Sequence, residues 1–525
     1  MVDISPAAAV QRRARYDSAA PALVYEGRTI TAGALAETTS RLAAGLAARG
    51  LRRGDRVAFL GLNSATLLET LLAASHLGAV FVPVNHRLAA DEVRHILTDS
   101  GTHTLIAEES HRSLAESILS EVPVRRPVLV DNDPSCPAAP APPAVWTPLS
   151  EVLSTDAKPP VAVPVRDDDL AALMYTSGTT GRPKGVMLTH GNLWWNAVNV
   201  DTMVDTRPAD VNLAVAPLFH IGGLNALTLR TLTRGGVVVV RRSFDPEQCL
   251  ADLVEHRVTS IFAVPAMFAA LSRAPGFREA DLSALRAVIV AGAAVPPQLI
   301  RDYADAHGVL LQQAWGLTET APFATYLPAA LTLEKTGSAG LPMPYTEVCL
   351  MVPGRGGIID RPDVRGEICV RGPNVVAGYW NNQHATQEAF DDAGWFHSGD
   401  VGYRDEDGHY YVVDRLKDMI ISGGENIYPA EVERVLSAFP GVHEVAVVGV
   451  PDPKWGETVV AVLTCEPGVE PTLQEVRDFG SGRLARYKLP TRVVIAAELP
   501  RNASGKLVKG RVRDIVTRQT MPNAD

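Results

Sequence analysis

The sequence has few of the residues and motifs that build disulfide-bonded or zinc-bound frameworks. Its 525 residues include five cysteines, which are scattered and never form a C-x-x-C pair: Cys136, Cys249, Cys349, Cys369 and Cys465. This spacing supports neither a disulfide framework nor a zinc site, and it favours reduced thiols in a reducing compartment. H-E-x-x-H and G-x-S-x-G are also missing, which removes the main support for a zinc protease or a serine hydrolase.

Segments that would direct a chain into a membrane are missing from the sequence as well. The first six residues lack a basic region followed by an apolar run, so no signal peptide is expected. The most apolar stretch, 213–229, contains His220 and Asn225 and is too short and too polar for a membrane helix. A net charge of −10 disfavours a nucleic-acid surface. We therefore expect a cytoplasmic protein without nucleic-acid partners or an integral membrane segment, either a monomer or a homodimer.

One stretch is rich in glycine, hydroxyl groups and positive charge. It lies between two apolar, strand-like runs, 170–175 and 186–189, and reads Tyr175-Thr176-Ser177-Gly178-Thr179-Thr180-Gly181-Arg182-Pro183-Lys184-Gly185. Its glycines let backbone N–H groups face a ligand, and its four hydroxyls and Lys184 add donors and charge. Such a loop suits a polyphosphate. It is not a Walker loop, because Lys184 is followed by Gly185 and a strand-like run instead of Ser or Thr and a helix.

This stretch resembles the phosphate loop of the adenylate-forming superfamily, which includes acyl-CoA synthetases, peptide-synthetase adenylation domains and beetle luciferases. The resemblance covers nearly the whole chain and is closest to fatty-acid or aryl acid:CoA ligases. Its further motifs follow in the family's order: Trp315-Gly316-Leu317-Thr318-Glu319, Trp395-Phe396-His397-Ser398-Gly399-Asp400, Asp414-Arg415-Leu416-Lys417-Asp418 and Leu499-Pro500-Arg501-Asn502-Ala503-Ser504-Gly505-Lys506.

The order of the predicted elements indicates an α/β fold. Strand-like and helix-like runs alternate over 56–107 and again over 211–313, which is typical of parallel, doubly wound sheets. Turns follow three strands of the second series, at residues 217–220, 291–294 and 315–319. Open α/β sheets bind ligands beyond the carboxyl ends of their strands. We therefore expect one shared crevice at these turns, which the phosphate loop also faces.

Two further regions complete the predicted architecture. Short β-like runs between 340 and 414 suggest a β-barrel-like subdomain, and a compact α+β unit follows. The predicted fold class is α/β. A large N-terminal adenylation domain, 1–416, holds two doubly wound α/β subdomains and the β-barrel-like one. A small mobile α+β C-terminal lid domain, 417–525, follows, and the resemblance implies a hinge near Lys417.

The resemblance implies an ATP site with magnesium. By this resemblance, Glu319 and Thr176 match the metal site, Thr318 the α-phosphate contact, Asp400 the residue that holds the ribose hydroxyls, and Arg415 its ribose or phosphate partner. The remaining residues expected to contact ATP lie in the phosphate loop and two turns: Ser177, Gly178, Thr179, Thr180, Gly181, Lys184, Gly292, Ala293, Ala294, Trp315 and Gly316. Oxygen ligands beside a hydroxyl and an aromatic side chain are what a Mg²⁺–ATP site requires.

Lys506 matches the family's catalytic lysine, which bridges the attacking carboxylate and the α-phosphate. A carboxylate that approaches a triphosphate brings like charges together, and a point cation neutralises the charge that develops in the transition state. The resemblance further implies that the small domain rotates about Lys417. In the second arrangement, Gly423 and Gly424 leave room for the thin pantetheine arm of CoA.

His220 distinguishes the subclasses of the superfamily. Amino-acid-activating members carry an Asp near this turn, whereas Pro217-Leu218-Phe219-His220 offers no carboxylate, so a free amino acid is disfavoured. His220 resembles the residue at the mouth of the acyl pocket and is, with Lys506 and Thr318, a predicted catalytic residue. The expected pocket walls are small or apolar and fit a fatty, aryl or terpenoid acid: Phe219, Gly222, Gly223, Leu224, Ala321 and Phe323.

These features predict an AMP-forming acyl-CoA synthetase that uses ATP, Mg²⁺ and CoA. We expect medium-to-long-chain or polycyclic acids ahead of small aromatic acids. Three alternatives stay open: an acyl-AMP ligase that loads a carrier protein, a luciferase-like oxidase and an inactive nucleotide-binding relative. The last is disfavoured because Lys184, Glu319 and Lys506 are all present.

Overall fold

The computed structural model describes residues 3–131, 145–158, 160–177, 182–354, 356–422, 425–481, 483–501 and 507–518, with residues 177 and 426 described by their backbone only. The chain divides into two compact units. The first comprises Met1–Val348 and Cys369–His397, and the second comprises Cys349–Ile368 and Ser398–Asp525. The boundary at Lys417 expected from the sequence lies inside the second unit, and that domain division stays a prediction.

In the described part of the first unit, seven strands form one sheet. Their order is Thr147–Pro148, Arg126–Val130, Thr104–Glu108, Arg56–Leu60, Val80–Val84, Leu170–Ser177 and Pro183–Thr189. All neighbours are parallel except the last two strands, which are antiparallel. Several helices belong to this part of the chain: Ala32–Ala48, Ala65–Leu77, Ala90–Asp99, Arg112–Glu116 and Leu149–Leu153. The α/β alternation expected from the sequence is confirmed here.

A second sheet of the first unit contains nine strands within the described residues. Their order is Leu341–Pro342, Phe323–Tyr326, Gln312–Gly316, Ala287–Val290, Ser260–Ala263, Val211–Ala214, Val237–Val240, Pro21–Tyr25 and Arg28–Thr31. The central strands are parallel and the outer pairs are antiparallel. The helices of this part are Pro6–Tyr16, His190–Met203, Pro246–Glu255, Pro265–Leu271 and Pro297–His307, with Gln383–Ala389 later in the chain.

Local sequence signals fix several of these boundaries. Asp245 caps the helix Pro246–Glu255 by accepting a hydrogen bond from the Gln248 backbone N–H at 2.9 Å, and Pro246 occupies the first turn. Gly308 ends the helix Pro297–His307 in the left-handed conformation, with φ of 65°.

Two predicted elements of the second series differ from the structure. The strand expected at 309–313 runs instead from Gln312 to Gly316, because its carboxyl end pairs with Phe323–Tyr326. The helix expected at 221–232 consists of Ile221–Gly223, a π-helical segment Leu224–Thr228 and Leu229–Arg234. π-Helical segments of this kind are frequent at functional sites.

The second unit is rich in β structure. Phe396–Arg404, whose first two residues lie in the first unit, pairs antiparallel with Tyr410–Arg415 in a hairpin. Glu425–Ile427, Ile420–Ser422, Gly456–Cys465 and Val442–Asp452 form a sheet, and Arg492–Ile495 pairs with Gly456–Cys465. Alternate residues of this sheet face two apolar clusters. Its helices are Pro429–Leu436, Leu473–Gly480 and Lys509–Arg518.

Besides Phe396–Arg404, two other strands contain points where the chain passes from one unit to the other: Glu347–Met351 and Gly366–Arg371. Short 3₁₀ segments occur at residues 109–111, 119–121, 277–279, 318–320, 329–331, 416–418 and 486–488. The search for membrane spans covered the described residues, and no helix among them has both the length and the apolarity that a crossing requires.

Candidate active site

The carboxyl ends of neighbouring strands bring the predicted turns to one side of the nine-stranded sheet. Ala287–Val290 lies beside Gln312–Gly316 in parallel register, and Ser260–Ala263 separates it from Val211–Ala214. The segments that continue from these strands hold residues 291–294, 317–319 and 217–220. The topology therefore places the three turns at one edge, as the sequence predicted.

The phosphate loop joins the two antiparallel strands at the end of the seven-stranded sheet. Thr176 pairs with Lys184, and the backbone of Ser177 pairs with Pro183. The four residues at the tip of the loop, Gly178, Thr179, Thr180 and Gly181, lie outside the described residues. The ammonium nitrogen of Lys184 lies 5.3 Å from the ring centroid of Tyr379, which is within the range of a cation–π contact.

Glu319, the predicted metal ligand, is buried and held by a tyrosine. The Tyr379 hydroxyl donates a hydrogen bond to Oε1 of Glu319 at 2.8 Å, and Glu319 is 8% exposed. Burial and the neighbouring Glu319 carboxylate raise the pKa of Tyr379 above its usual range. The phenol therefore keeps its proton and stays a donor to the carboxylate.

The segment that carries Tyr379 connects Glu319 with the phosphate loop. The Val376 backbone N–H donates to the carbonyl of Glu319 at 2.9 Å, and the Trp380 N–H donates to the carbonyl of Gly185 at 2.7 Å. The backbone of this short segment therefore links the predicted phosphate loop to the turn that holds Glu319, the predicted metal ligand. Sequence reasoning missed Tyr379, because it lies 60 residues from Glu319 along the chain and belongs to none of the recognised motifs.

The turn from Gly316 to Phe323 is tightly constrained. A Cβ on Gly316 would overlap the carbonyl oxygen of Pro322, so only glycine fits there. The Thr320 hydroxyl accepts a hydrogen bond from the Leu317 N–H at 2.8 Å and donates to the Pro322 carbonyl at 2.5 Å. Thr318 begins the 3₁₀ segment Thr318–Thr320. The backbone itself therefore fixes the positions of Thr318 and Glu319.

Buried asparagines hold this turn against the helix His190–Met203. Asn196 donates to the carbonyl of Asn225 at 2.8 Å, and Asn225 donates to the carbonyl of Ala321 at 2.6 Å. Asn374 donates to the carbonyls of Thr320 and Phe323 at 2.8 and 2.9 Å. All three asparagines are at most 2% exposed. Such fully paired buried amides rigidify their surroundings.

The same helix contributes two more asparagines to the network. Asn192 donates to the carbonyls of Pro373 and Val375, both at 3.0 Å. Asn199 donates to the Thr346 hydroxyl at 3.0 Å, which in turn donates to Oδ1 of Asn374 at 2.7 Å. The sequence does carry a signal for this network. Asn192, Asn196 and Asn199 recur at a helical spacing that places polar side chains on one buried face.

The turn predicted to lie against adenine is open to solvent. Gly292 has φ of +89°, a conformation that favours glycine, and Gly292, Ala293 and Ala294 are all exposed. Trp315 is half-buried in the adjacent strand and pairs with Thr325. The small residues of this turn therefore follow the strand next to the one that contains Trp315.

The predicted pocket residues do not all lie in one cluster. Phe323 packs with Phe262, whose ring centroid lies 6.2 Å away. A Cβ on Gly222 would approach the Phe262 ring to 2.7 Å, and one on Gly223 would overlap the carbonyl oxygen of Pro217. Leu224 is fully buried in a separate apolar cluster, which also includes Ala321. Gly222 and Phe323 thus meet at Phe262, whereas Leu224 belongs to the core of the unit.

His220 lies in a group of aromatic rings. The Phe219 ring lies 4.5 Å from the His220 ring and 5.3 Å from the His86 ring, between centroids. Burial and the nearby Arg87 lower the pKa of His220 to about 4. Nε2 of His220 is buried and has no hydrogen-bond partner within the described residues. His220 is therefore a neutral imidazole at pH 7.

The remaining predicted ATP contacts belong to the second unit. Asp400 and Arg415 pair across the hairpin, and Nε of Arg415 lies 2.6 Å from Oδ1 of Asp400. Lys417 is exposed on the 3₁₀ segment Leu416–Asp418. The other predicted residues of this part, Gly423, Gly424 and Lys506, lie outside the described residues.

Comparison with known protein families identifies this arrangement. The model of the AMP-binding enzyme family matches residues 10–380, and the model of its C-terminal domain matches residues 431–506. The chain belongs to the AMP-binding enzyme family. The two matches lie on either side of Lys417, the predicted hinge.

Characterised members of the AMP-binding enzyme family are similar over almost the whole chain. Feruloyl-CoA synthase of Amycolatopsis sp. is 46% identical, with 96% of this chain and 97% of that protein covered. Indoleacetate–CoA ligase of Aromatoleum aromaticum is 40% identical, with 97% and 98% covered. These similarities make this AMP-binding enzyme an AMP-forming acyl-CoA synthetase, which activates an acid with ATP and transfers it to CoA.

A solved structure supports the same reaction. The o-succinylbenzoate CoA synthetase of Bacillus subtilis, in complex with its acyl-adenylate intermediate, is 34% identical and has a TM-score of 0.84, with 98% of this chain and 99% of that chain covered. The same enzyme has been solved with ATP and a magnesium ion. The fold predicted from the sequence, a large N-terminal domain followed by a smaller C-terminal domain, is confirmed.

Proposed function

We propose that the acid is an aromatic carboxylate of the arylpropenoic or arylacetic type. Gly222, Phe262 and Phe323 carry the proposal, because the Phe262 ring packs directly on the backbone of Gly222, 2.7 Å from where a Cβ would lie, and so places an aromatic wall among the predicted pocket residues. The two phenylalanine rings lie 6.2 Å apart, a spacing at which aromatic rings attract each other and a further ring. The feruloyl and indoleacetyl specificities of the relatives support this choice. It reverses the preference for medium-to-long-chain or polycyclic acids drawn from the sequence.

Mg²⁺ fits the residues around Glu319. This carboxylate is buried, and the Tyr379 hydroxyl orients it by donating a hydrogen bond to Oε1, as neighbouring groups do for carboxylates that bind a hard cation. We assign Glu319 as the ligand and Thr176 as a second oxygen donor. When bound, Mg²⁺ neutralises charge on the phosphates of ATP. The protein's own part is to fix the carboxylate before ATP arrives.

The first half-reaction joins the acid to ATP. An oxygen of the carboxylate attacks the α-phosphorus, the bond to the bridging oxygen of the β-phosphate breaks, and pyrophosphate leaves with the electron pair. We assign Lys184 and the phosphate loop to the β- and γ-phosphates, Thr318 to the α-phosphate and the Asp400–Arg415 pair to the ribose. Lys506 neutralises the charge that develops between carboxylate and phosphate.

The second half-reaction transfers the acyl group. The thiolate sulfur of CoA attacks the acyl carbonyl carbon of the mixed anhydride, the carbon–oxygen bond to AMP breaks, and AMP leaves with the electron pair. We assign the neutral His220 to the mouth of the acyl pocket, where it contacts the ring of the acid without the cost of a buried charge. Movement of the C-terminal domain about Lys417 lets one crevice serve both half-reactions. ATP and CoA as co-substrates fit a cytoplasmic enzyme.

The test is pyrophosphate release from ATP across a panel of ferulic, coumaric, indoleacetic, phenylacetic, octanoic and palmitic acids, with and without CoA. We expect release with the aromatic acids and the corresponding acyl-CoA, identified by mass, only when CoA is present. Products from octanoic and palmitic acids alone would contradict the aromatic assignment. Acyl-AMP that persists despite CoA, and disappears when a carrier protein is added, would instead indicate a carrier-protein loader.

A matched pair of variants tests the lysine assignment. Lys506→Ala should lose adenylation, measured as acid-dependent pyrophosphate release. Lys509→Ala removes a lysine of the same segment that pairs with Glu433 at 3.0 Å and has no assigned role in the reaction. If Lys506→Ala and Lys509→Ala release pyrophosphate equally fast, the catalytic assignment of Lys506 is wrong.

A further inference from the structure

A tight turn in the second unit gathers two carboxylates and a buried imidazole. The strands Phe396–Arg404 and Tyr410–Arg415 are joined by residues 405–409, with the sequence Asp-Glu-Asp-Gly-His. The Asp405 N–H donates to the carbonyl of His409 at 3.0 Å, and the Gly408 N–H donates to the carbonyl of Asp405 at 3.1 Å. Gly408 has φ of +87°, as a three-residue hairpin loop with a glycine bulge requires.

This turn geometry brings the three side chains to one place. One ligand atom from each of Asp405, Asp407 and His409 lies within 4.8 Å of the other two. Asp405 and His409 face each other across the end of the hairpin, with Nδ1 of His409 3.7 Å from Oδ1 of Asp405. The His409 N–H donates to Oδ1 of Asp405 at 2.8 Å, which fixes that carboxylate. The Tyr411 hydroxyl donates to the other oxygen of Asp405 at 3.3 Å, and a cation between the two carboxylates would offset the repulsion of their charges.

His409 supplies the independent observation that points to a ligand. It is 5% exposed, and neither of its ring nitrogens has a hydrogen-bond partner within the described residues. A buried imidazole without partners is unfavourable, because its N–H and its lone pair both lose water. A metal ion bound to the lone pair would give that ring nitrogen a partner. Asp405 and the exposed Asp407 would then supply oxygen ligands to the same ion.

We propose that Asp405, Asp407 and His409 bind a divalent transition-metal cation, for which Zn²⁺ is the probe. One nitrogen and two carboxylate oxygens, with water in the remaining position, form a donor set that Zn²⁺ accepts. Two ligand atoms that each bind Zn²⁺ at about 2 Å lie at most about 4 Å apart, so the site closes by a side-chain rotation of the exposed Asp407. Its ligands belong to the second unit, whereas Glu319 belongs to the first.

The site closes the hairpin that carries Asp400 and Arg415. These two residues form the pair of the hairpin that is farthest from the turn, and Arg404 pairs with Tyr410 next to the turn. A cation at the turn therefore ties together the two strands that present the Asp400–Arg415 pair. The proposed role is structural, and it needs neither ATP nor the acid.

The experiment is equilibrium dialysis of the full-length, chelator-treated protein against Zn²⁺ without nucleotide. Four proteins are compared: wild type, His409→Phe, Asp407→Asn and His384→Phe. His384 is the matched control, because it faces Glu388 at 3.3 Å on an exposed helical surface. Thiol-bound Zn²⁺ contributes equally to all four and cancels in the comparison.

We expect wild type and His384→Phe to bind one more Zn²⁺ than His409→Phe, and Asp407→Asn to bind it at least tenfold more weakly. Zn²⁺ should raise the melting temperature of wild type and not that of Asp407→Asn, an exposed substitution that leaves the chelated protein equally stable. Equal stoichiometry and affinity in wild type, His409→Phe and Asp407→Asn would overturn the proposal. So would a wild type that binds no Zn²⁺ at tenfold molar excess.

Discussion

The hydrogen bond between Tyr379 and Glu319 gives the sharpest prediction. Tyr379→Phe keeps the ring and its packing and removes only the hydroxyl, which donates to Oε1 of Glu319 at 2.8 Å. A hydrogen bond to a charged group contributes about 1.5–3 kcal/mol. Because about 1.4 kcal/mol corresponds to a factor of ten, the variant should lose roughly 10- to 150-fold in kcat/KM for ATP. The loss in kcat/KM should become smaller as the Mg²⁺ concentration is raised, because the Glu319 carboxylate is still present in the variant.

Tyr303→Phe is the matched control. Its hydroxyl is buried and donates at 2.8 Å to the carbonyl of Phe268, in an apolar cluster that contains none of the assigned site residues. The assay is acid-dependent pyrophosphate release at saturating acid, with Mg²⁺ and ATP varied separately. If Tyr379→Phe and Tyr303→Phe show the same Mg²⁺ dependence, Tyr379 has no role at Glu319 and the assignment of the metal site fails.

Three further predictions concern stability and the turn. Asn374→Ala leaves two buried carbonyls unpaired and should lower the free energy of unfolding by about 2–5 kcal/mol in urea titrations. Burial lowers the pKa of His190 to about 4, so the unfolded chain takes up a proton near pH 6.5 and the folded one does not. Stability should therefore fall by about 2 kcal/mol between pH 8 and pH 5, and His190→Gln should flatten this slope. Gly316→Ala, whose Cβ would overlap the Pro322 carbonyl, should abolish adenylation and lower the melting temperature, whereas Gly357→Ala, with open space around it, should change neither. An unchanged unfolding curve for Asn374→Ala, an equal pH slope for His190→Gln or an active Gly316→Ala would each contradict the corresponding argument.

The sequence predicted those parts of the fold in which local pattern and local structure agree. The alternation over 56–107 reappears as parallel strands and helices, because buried parallel strands are continuous apolar runs and their helices carry capping residues. The phosphate loop was recognisable because its residue types are rare in combination. Asp245 and Gly308 mark helix ends that the sequence could fix to within two residues.

The features that were missed depend on long-range contacts. Pro21–Tyr25 joins the nine-stranded sheet by pairing with Val237–Val240, more than 200 residues away. The residue pattern of Pro21–Tyr25 does not indicate this partner strand. Tyr379 reaches Glu319 in the same way. The strand at Gln312 was placed three residues early, because its register depends on pairing with Phe323–Tyr326. Pairing of this kind is a tertiary effect, and local propensity carries no information on it.

The segment around Tyr379 also affects how the protein behaves in concentrated solution. Pro183–Thr189 ends the strand order of its sheet, and an uncovered outermost strand is a template for pairing with other molecules. Residues 378–380 cover it, since the Met187 N–H donates to the Gly378 carbonyl at 3.2 Å and the Trp380 N–H donates to Gly185 at 2.7 Å. A variant that loosens this segment would expose the strand to self-association. Catalytic competence and resistance to aggregation thus depend on the same few backbone hydrogen bonds, and mutations that separate the two properties should be rare here.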